Sequence, residues 1–247
     1  MTMPKSLQSL PETTNVLGLP IHLTKYLDWL TAQLKQQRGV HVVTLNAEMA
    51  IAAEANPALA AVIRQAELVI PDGSGVVLYL KLRGYPVKRC PGIELSELLL
   101  QQAAQQTSPC PVFFYGGEPG ISQTAAENLK RRMPGLAIAA TEHGYLTAAE
   151  QDQLLQTLEQ LQPCIVLVGL GVPRQEFWIA EHRHLCPNAI WVGVGGSFDI
   201  WAGVKVRAPA LLRDNHLEWV YRLYQEPWRW KRMLALPKFA WRAIVHR

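Results

Sequence analysis

The stretch VIPDGSGVVL, residues 69–78, sets one carboxylate between an apolar run and a helical pattern. Pro71 ends the run, Asp72 follows, and Gly73 and Gly75 flank Ser74. An Asp there has two uses. It can cap a helix, accepting backbone N–H bonds at the positive end of the helix dipole. It can also act as a general base held at the mouth of a sheet. Residue types alone leave both open. Glycines cluster behind the other apolar runs as well: Gly116, Gly117 and Gly120; Gly169 and Gly171; Gly193, Gly195 and Gly196. Glycine lets backbone N–H groups approach a phosphate, and the helix start that follows favours negative charge. Four such loops from one sheet point to a nucleotide-sized ligand. The competing explanation is ordinary tight turns between strand and helix.

Other chemistries find less support. No DxD or DxE pair lies near a strand end, which argues against a sugar nucleotide chelated through a divalent metal. EHRH, residues 181–184, lies on a helix, but His182 and His184 are two apart and face different ways. A solvated helical face is the reading there, not a metal site. Ser74 and Ser197 have glycine neighbours, yet neither sits in GxSxG, so a hydrolase elbow is unsupported. GLGVPRQE, residues 169–176, lacks the third glycine of the dinucleotide fingerprint. GGEPG, residues 116–120, followed by Glu142 at the next strand's end, imitates it loosely. A nicotinamide-dependent oxidoreductase is therefore the alternative enzyme class.

The elements that must position these residues alternate along the chain. Apolar strands are expected over 41–45, 67–70, 111–117, 136–141, 164–171 and 189–196. Helices are expected between them: one over 46–66, then 74–82, 94–106, 121–133, 147–161 and 173–185. Continuous apolar strands separated by helices indicate an α/β fold, a parallel sheet covered on both faces. Ligands then bind beyond the carboxyl ends of the strands, where the glycines fall. After Gly203 the alternation stops. Residues 205–247 read as short helices punctuated by Pro227 and Pro237. Leu212, His216, Trp219, Val220 and Leu223 share a face, and Arg213, Asp214 and Arg222 lie off it.

Length and charge bound the partners. A chain of 247 residues suits one large α/β domain, residues 1–204, with a small appendage, residues 205–247. Cys90, Cys110, Cys164 and Cys186 form no CxxC pair and read as thiols of a reducing compartment. No signal peptide and no apolar run of about 18 residues is visible, so a soluble cytoplasmic protein is expected. Residues 1–204 hold 14 Lys and Arg against 17 Asp and Glu, a net of −3. Residues 205–247 hold 10 against 3, a net of +7, and four of the eight Trp: Trp219, Trp228, Trp230 and Trp241. A basic, Trp-rich tail suits an anionic partner. A non-enzymatic module binding nucleic acid or lipid would use that tail, but would leave Asp72 and the glycine loops without purpose.

Taken together, TLNAEM (44–49), PDGSGVV (71–77), RCPGIEL (89–95), GLGVPRQE (169–176), GVGGSFDIWAG (193–203), RAP (207–209), LEWVYRL (217–223) and EPWRWKR (226–232) resemble the WecG/TagA/CpsF glycosyltransferase family. The likeness runs over about residues 17–232. Cys90 departs from it, since Val or Ile is usual there. The resemblance implies a Rossmann-like domain with a C-terminal appendage that closes over the site and touches the membrane. It implies inverting, metal-independent transfer of a hexose such as N-acetylmannosamine from a UDP-sugar. The acceptor implied is a polyprenyl-diphosphate-linked sugar at the inner face of the cell membrane, in bacterial cell-surface polysaccharide synthesis. No cofactor, no metal and no nucleic acid are expected, and homo-oligomerisation stays open. By resemblance Asp72 is the general base, and Thr44, Asn46, Arg89 and Gln175 orient donor and acceptor. Asp199 binds the uracil end, Arg222, Arg229 and Arg232 hold the diphosphate, and Gly73, Gly75, Gly116, Gly117, Gly169, Gly171 and Gly195 shape the substrate loops.

Overall fold

The computed structural model describes residues 11–214 and 217–245, without the side chains of Asp214, Arg222 and Arg229. Six parallel strands form the main sheet: β3 (Val40–Leu45), β4 (Leu68–Pro71), β5 (Val112–Gly116), β6 (Ile138–Glu142), β7 (Ile165–Gly169) and β8 (Ile190–Gly193), in the order β4-β3-β8-β7-β5-β6. The expected α/β class with a parallel sheet holds. An antiparallel hairpin, β1 (Glu12–Val16) and β2 (Leu19–Leu23), precedes it. The strand period of two sends alternate side chains to opposite faces. Val40, Val42, Phe114, Leu167 and Val192 enter one core, under α1 (Tyr26–Lys35), α5 (Gly92–Ala104), α6 (Ile121–Arg132) and α9 (Ser197–Trp201). On the other face Val43 and Leu45 pack beneath α2 (Ala47–Ala55), α3 (Pro57–Gln65) and α4 (Ser74–Leu82). There too Phe113, Val166 and Trp191 pack beneath α7 (Ala148–Leu161) and α8 (Arg174–His182).

Two expected helices change. Residues 46–66 form two helices, not one. Asn56 caps α3, its Oδ1 accepting the Leu59 N–H at 3.2 Å, and Pro57 occupies the first helical position, where its missing donor costs nothing. The EHRH segment leaves α8 at His182 for a 3-10 turn over Arg183–Leu185. His182 is buried and stacks on Trp178 at 4.7 Å, so only His184 faces water. The two histidines do face different ways, but one of those ways is inward.

The segment after Gly203 is helical: α10 (Ala210–Asp214), α11 (Glu218–Gln225), α12 (Trp230–Met233) and α13 (Ala235–Val245). The expected face from Leu212 to Leu223 does not lie on one helix. It is divided between α10 and α11, and His216 lies outside the described residues. Pro237 does not break α13, because it sits in the first turn, whose N–H groups have no intrahelical partner. Helix α13 packs on α2 and α4 and buries Phe239 against Tyr79, their rings edge to face at 6.0 Å. Among the described residues no helix is long and apolar enough to cross a membrane.

Candidate active site

Behind the neighbouring strands β4, β3, β8 and β7 the loops converge on a cleft of about 190 Å³. It lies beyond the carboxyl ends of the strands, as expected for an open α/β sheet. Of the expected site residues, Thr44, Asn46, Asp72, Arg89, Gly171, Gln175, Gly195 and Arg232 line it together. Glu48, Lys205, Arg207 and Glu218 join them, and sequence reasoning had given these no role.

The geometry at Asp72 resolves its capping role. Gly73 is the residue capping α4, and it has no side chain to offer that helix start. The Asp72 carboxylate reaches to α5, where Oδ1 accepts the N–H of Gly92, its first residue, at 3.2 Å. Pro91 precedes that helix and has no side-chain acceptor to offer. Asp72 therefore caps a helix, but one that starts 20 residues later in the chain. Its backbone N–H donates to the Leu45 carbonyl at 3.0 Å, and its carbonyl accepts from Arg89 Nε at 2.6 Å. A carboxylate offers about four acceptor sites, so the capping bond to Gly92 is compatible with proton transfer.

The residues around Asp72 are held by their own elements. Asn46 caps α2, its Oδ1 accepting the Met49 N–H at 2.9 Å, which leaves the amide NH₂ as donor. Thr44 lies in β3 and packs against Gly92. Arg89 donates from its guanidinium to Glu218 Oε2 at 2.6 Å, a largely buried pair that ties the first turn of α11 to the cleft. Arg232 of α12 pairs with Glu48 of α2.

A buried polar chain sets the β8 loop. His41 Nε2 and Glu176 Oε2 are 3.0 Å apart, both side chains enclosed. Gln175 donates to Glu176 Oε1 at 3.0 Å, and its own Oε1 accepts the Gly195 N–H at 3.0 Å. Gly193 beneath must be glycine: a Cβ would clash with the Gln175 amide and lie 2.7 Å from Glu176 Oε1. Beside this loop Lys205 Nζ bridges Asp199 at 2.6 Å and Glu226 at 3.0 Å. Burial disfavours its charge, but the two carboxylates outweigh that and raise its pKa.

Not every expected residue lines this cleft. Gly73 and Gly75 belong to an adjoining groove that shares Asp72, Asn46, Arg89 and Arg232. Gly116, Gly117 and Gly169 lie away from both. A Cβ on Gly116 would sit 2.5 Å from the Gly169 carbonyl, and one on Gly169 would sit 2.6 Å from the Phe198 ring. Close packing of β5, β7 and α9 accounts for Gly116 and Gly169, and a φ of +73° accounts for Gly117. Asp199 stands at the cleft's edge, through its bond to Lys205. Arg222 and Arg229 fall in α11 and in a 3-10 turn, but their side chains lie outside the described residues. Among the described residues no three His, Cys, Asp or Glu side chains gather as metal ligands would.

The model of the glycosyl transferase WecG/TagA/CpsF family matches residues 14–247. An N-acetylglucosaminyldiphosphoundecaprenol N-acetyl-beta-D-mannosaminyltransferase of Bacillus spizizenii is 40% identical over 226 residues, 91% of this chain and 86% of that protein. A transferase of the same description from Bacillus subtilis is 34% identical over 236 residues, 93% of this chain and 90% of its own. With a carboxylate seated among convergent polar groups beyond the sheet, these likenesses replace the oxidoreductase alternative. The chain belongs to the WecG/TagA/CpsF family of glycosyl transferases and is a hexosyltransferase.

Proposed function

We propose that the protein moves N-acetylmannosamine from a UDP-sugar to an N-acetylglucosamine carried on a polyprenyl diphosphate, with inversion and without a metal. The observation that carries this reading is the seat of Asp72 beside Thr44, Asn46, Arg89 and Gln175 in one cleft. The acceptor hydroxyl oxygen attacks the anomeric carbon from the face opposite the leaving group. The anomeric bond to the diphosphate breaks, UDP keeps the electron pair, and Asp72 takes the hydroxyl proton. A single displacement of this kind inverts the centre. Negative charge then builds on UDP, and arginines must stabilise it where no metal does. Arg232 is at the cleft and Arg222 and Arg229 lie in the same segment, so the diphosphate competes with Glu48 for Arg232. The Gly195 loop and Asp199 hold the nucleotide end.

The reading also places the enzyme on the inner face of the cell membrane. Its support is the +7 charge of residues 205–247 and the exposure of Trp228, Trp230 and Trp241. Each Lys or Arg near an anionic surface contributes about 1 kcal/mol, and indoles suit the headgroup region.

Asp72→Asn tests the reading. Asn keeps an oxygen for the Gly92 N–H, so the fold and UDP binding are expected to survive. Transfer is expected to fall on the order of 10²–10⁴-fold, about 3–5 kcal/mol of barrier. Activity within a few-fold of wild type would leave Asp72 as the cap of α5 and nothing more.

A further inference from the structure

A second groove, of about 980 Å³ and mostly apolar, runs between α4 and α13 and meets the reaction cleft at Asp72. Asn46, Glu48, Arg89 and Arg232 are common to both. Away from that junction the walls are hydrocarbon: Val77, Leu78 and Leu82 from α4, Leu236, Ala240 and Ile244 from α13. The floor is the Tyr79–Phe239 ring pair. The outer end opens to water at Leu82, 80% exposed, and Ile244, 66% exposed, with Lys81 and Arg83 on the rim. An apolar groove of this size that ends on exposed Leu and Ile marks a site for an apolar ligand. Its polar end, with two arginines and Asp72, fits a ligand with an anionic, hydroxyl-bearing head and a hydrocarbon tail.

We propose that this groove is the subsite for the first isoprene units of the acceptor, which enters with its sugar at Asp72 and its chain between α4 and α13. The inference rests on the acceptor reading above and assigns that acceptor a route. The small side chains of Ala240 and Ala243 keep the groove open, and the basic rim suits a mouth turned toward an anionic bilayer into which the rest of the chain continues. The acceptor's diphosphate then lies at the junction, within the reach of Arg89, while Arg232 stays with the diphosphate of UDP.

Two variants and one probe test it. Ala240→Trp fills the groove, and Leu82→Glu charges its mouth at a side chain too exposed to matter for folding. With acceptors sharing one diphosphate-linked sugar, both variants are expected to raise KM at least ten-fold for an undecaprenyl chain. KM for a short alkyl chain and for the UDP-sugar is expected to stay within two-fold. Equal effects on both acceptors, or none on either, would overturn the proposal. Labelling is read separately, with a benzophenone-bearing farnesyl diphosphate and no donor present. Crosslinks to the 74–82 and 235–245 peptides, reduced in Ala240→Trp, are expected. They would uphold the groove even if wild type transferred no sugar, a result that would sink only the acceptor reading. Crosslinks elsewhere would overturn the groove. So would a fall in molar mass by light scattering in Leu82→Glu without a change in KM, which would make the occupant a second copy of the chain.

Discussion

Asp72 can both cap and catalyse because a carboxylate has more acceptor sites than one helix start needs. Its residue type and its place after an apolar run were legible in the sequence. Its partner was not, because Gly92 N–H is met only through the fold. The same holds for the chain from His41 through Glu176 and Gln175 to Gly195. His41 and Glu176 are 135 residues apart, and neither carries a mark of the other. Gln175→Ala tests the role of this chain. It removes the acceptor from the Gly195 N–H and the donor from a fully buried carboxylate oxygen. A buried group left unsatisfied costs about 1–3 kcal/mol, so the melting temperature is expected to fall. The Kd for UDP is expected to rise about ten-fold or more by calorimetric titration, because the loop beyond β8 loses its tie. If UDP bound the variant as tightly as wild type, the Gly195 loop would have no part in holding the nucleotide.

Five of the six sheet strands were legible because each is a short apolar run buried on both faces, and the half-buried edge strand β6 was legible from the apolar run at its start. The hairpin of β1 and β2 was not. Its two-residue loop is Leu17-Gly18, with positive φ at both, where Asn-Gly or Asp-Gly would announce such a turn. Asn15 supplies the missing signal from two residues earlier, its Oδ1 accepting the Gly18 N–H at 2.7 Å. Helix α13 shows a different limit. Charge separates residues 205–247 from the rest, yet packing joins them: Phe239 is 3% exposed in the core built by α2, α3 and α4. Phe239→Ala is expected to cost about 3–5 kcal/mol, read as a lower urea midpoint. A loss below about 1 kcal/mol would mean that α13 rests on the body without being part of its core.

For the molecule as a whole, the charge asymmetry and the exposed indoles define one prediction. The protein is expected to sediment with vesicles containing anionic lipid and to stay in the supernatant with neutral ones. Raising salt well above physiological strength is expected to release it, since the Debye length falls from about 8 Å to about 3 Å at 1 M. Equal binding to neutral vesicles would assign the contact to the apolar side chains alone. The transfer reaction itself is measured most directly with the whole enzyme, UDP-N-acetylmannosamine and a short-chain polyprenyl-diphosphate N-acetylglucosamine in excess EDTA. UDP release and the linkage of the product are followed together. The account predicts stoichiometric UDP and a disaccharide with inverted anomeric configuration, at a rate that added Mg²⁺ or Mn²⁺ does not change. No UDP release from this pair, a retained configuration, or activity that collapses in EDTA and returns with a divalent cation would contradict it.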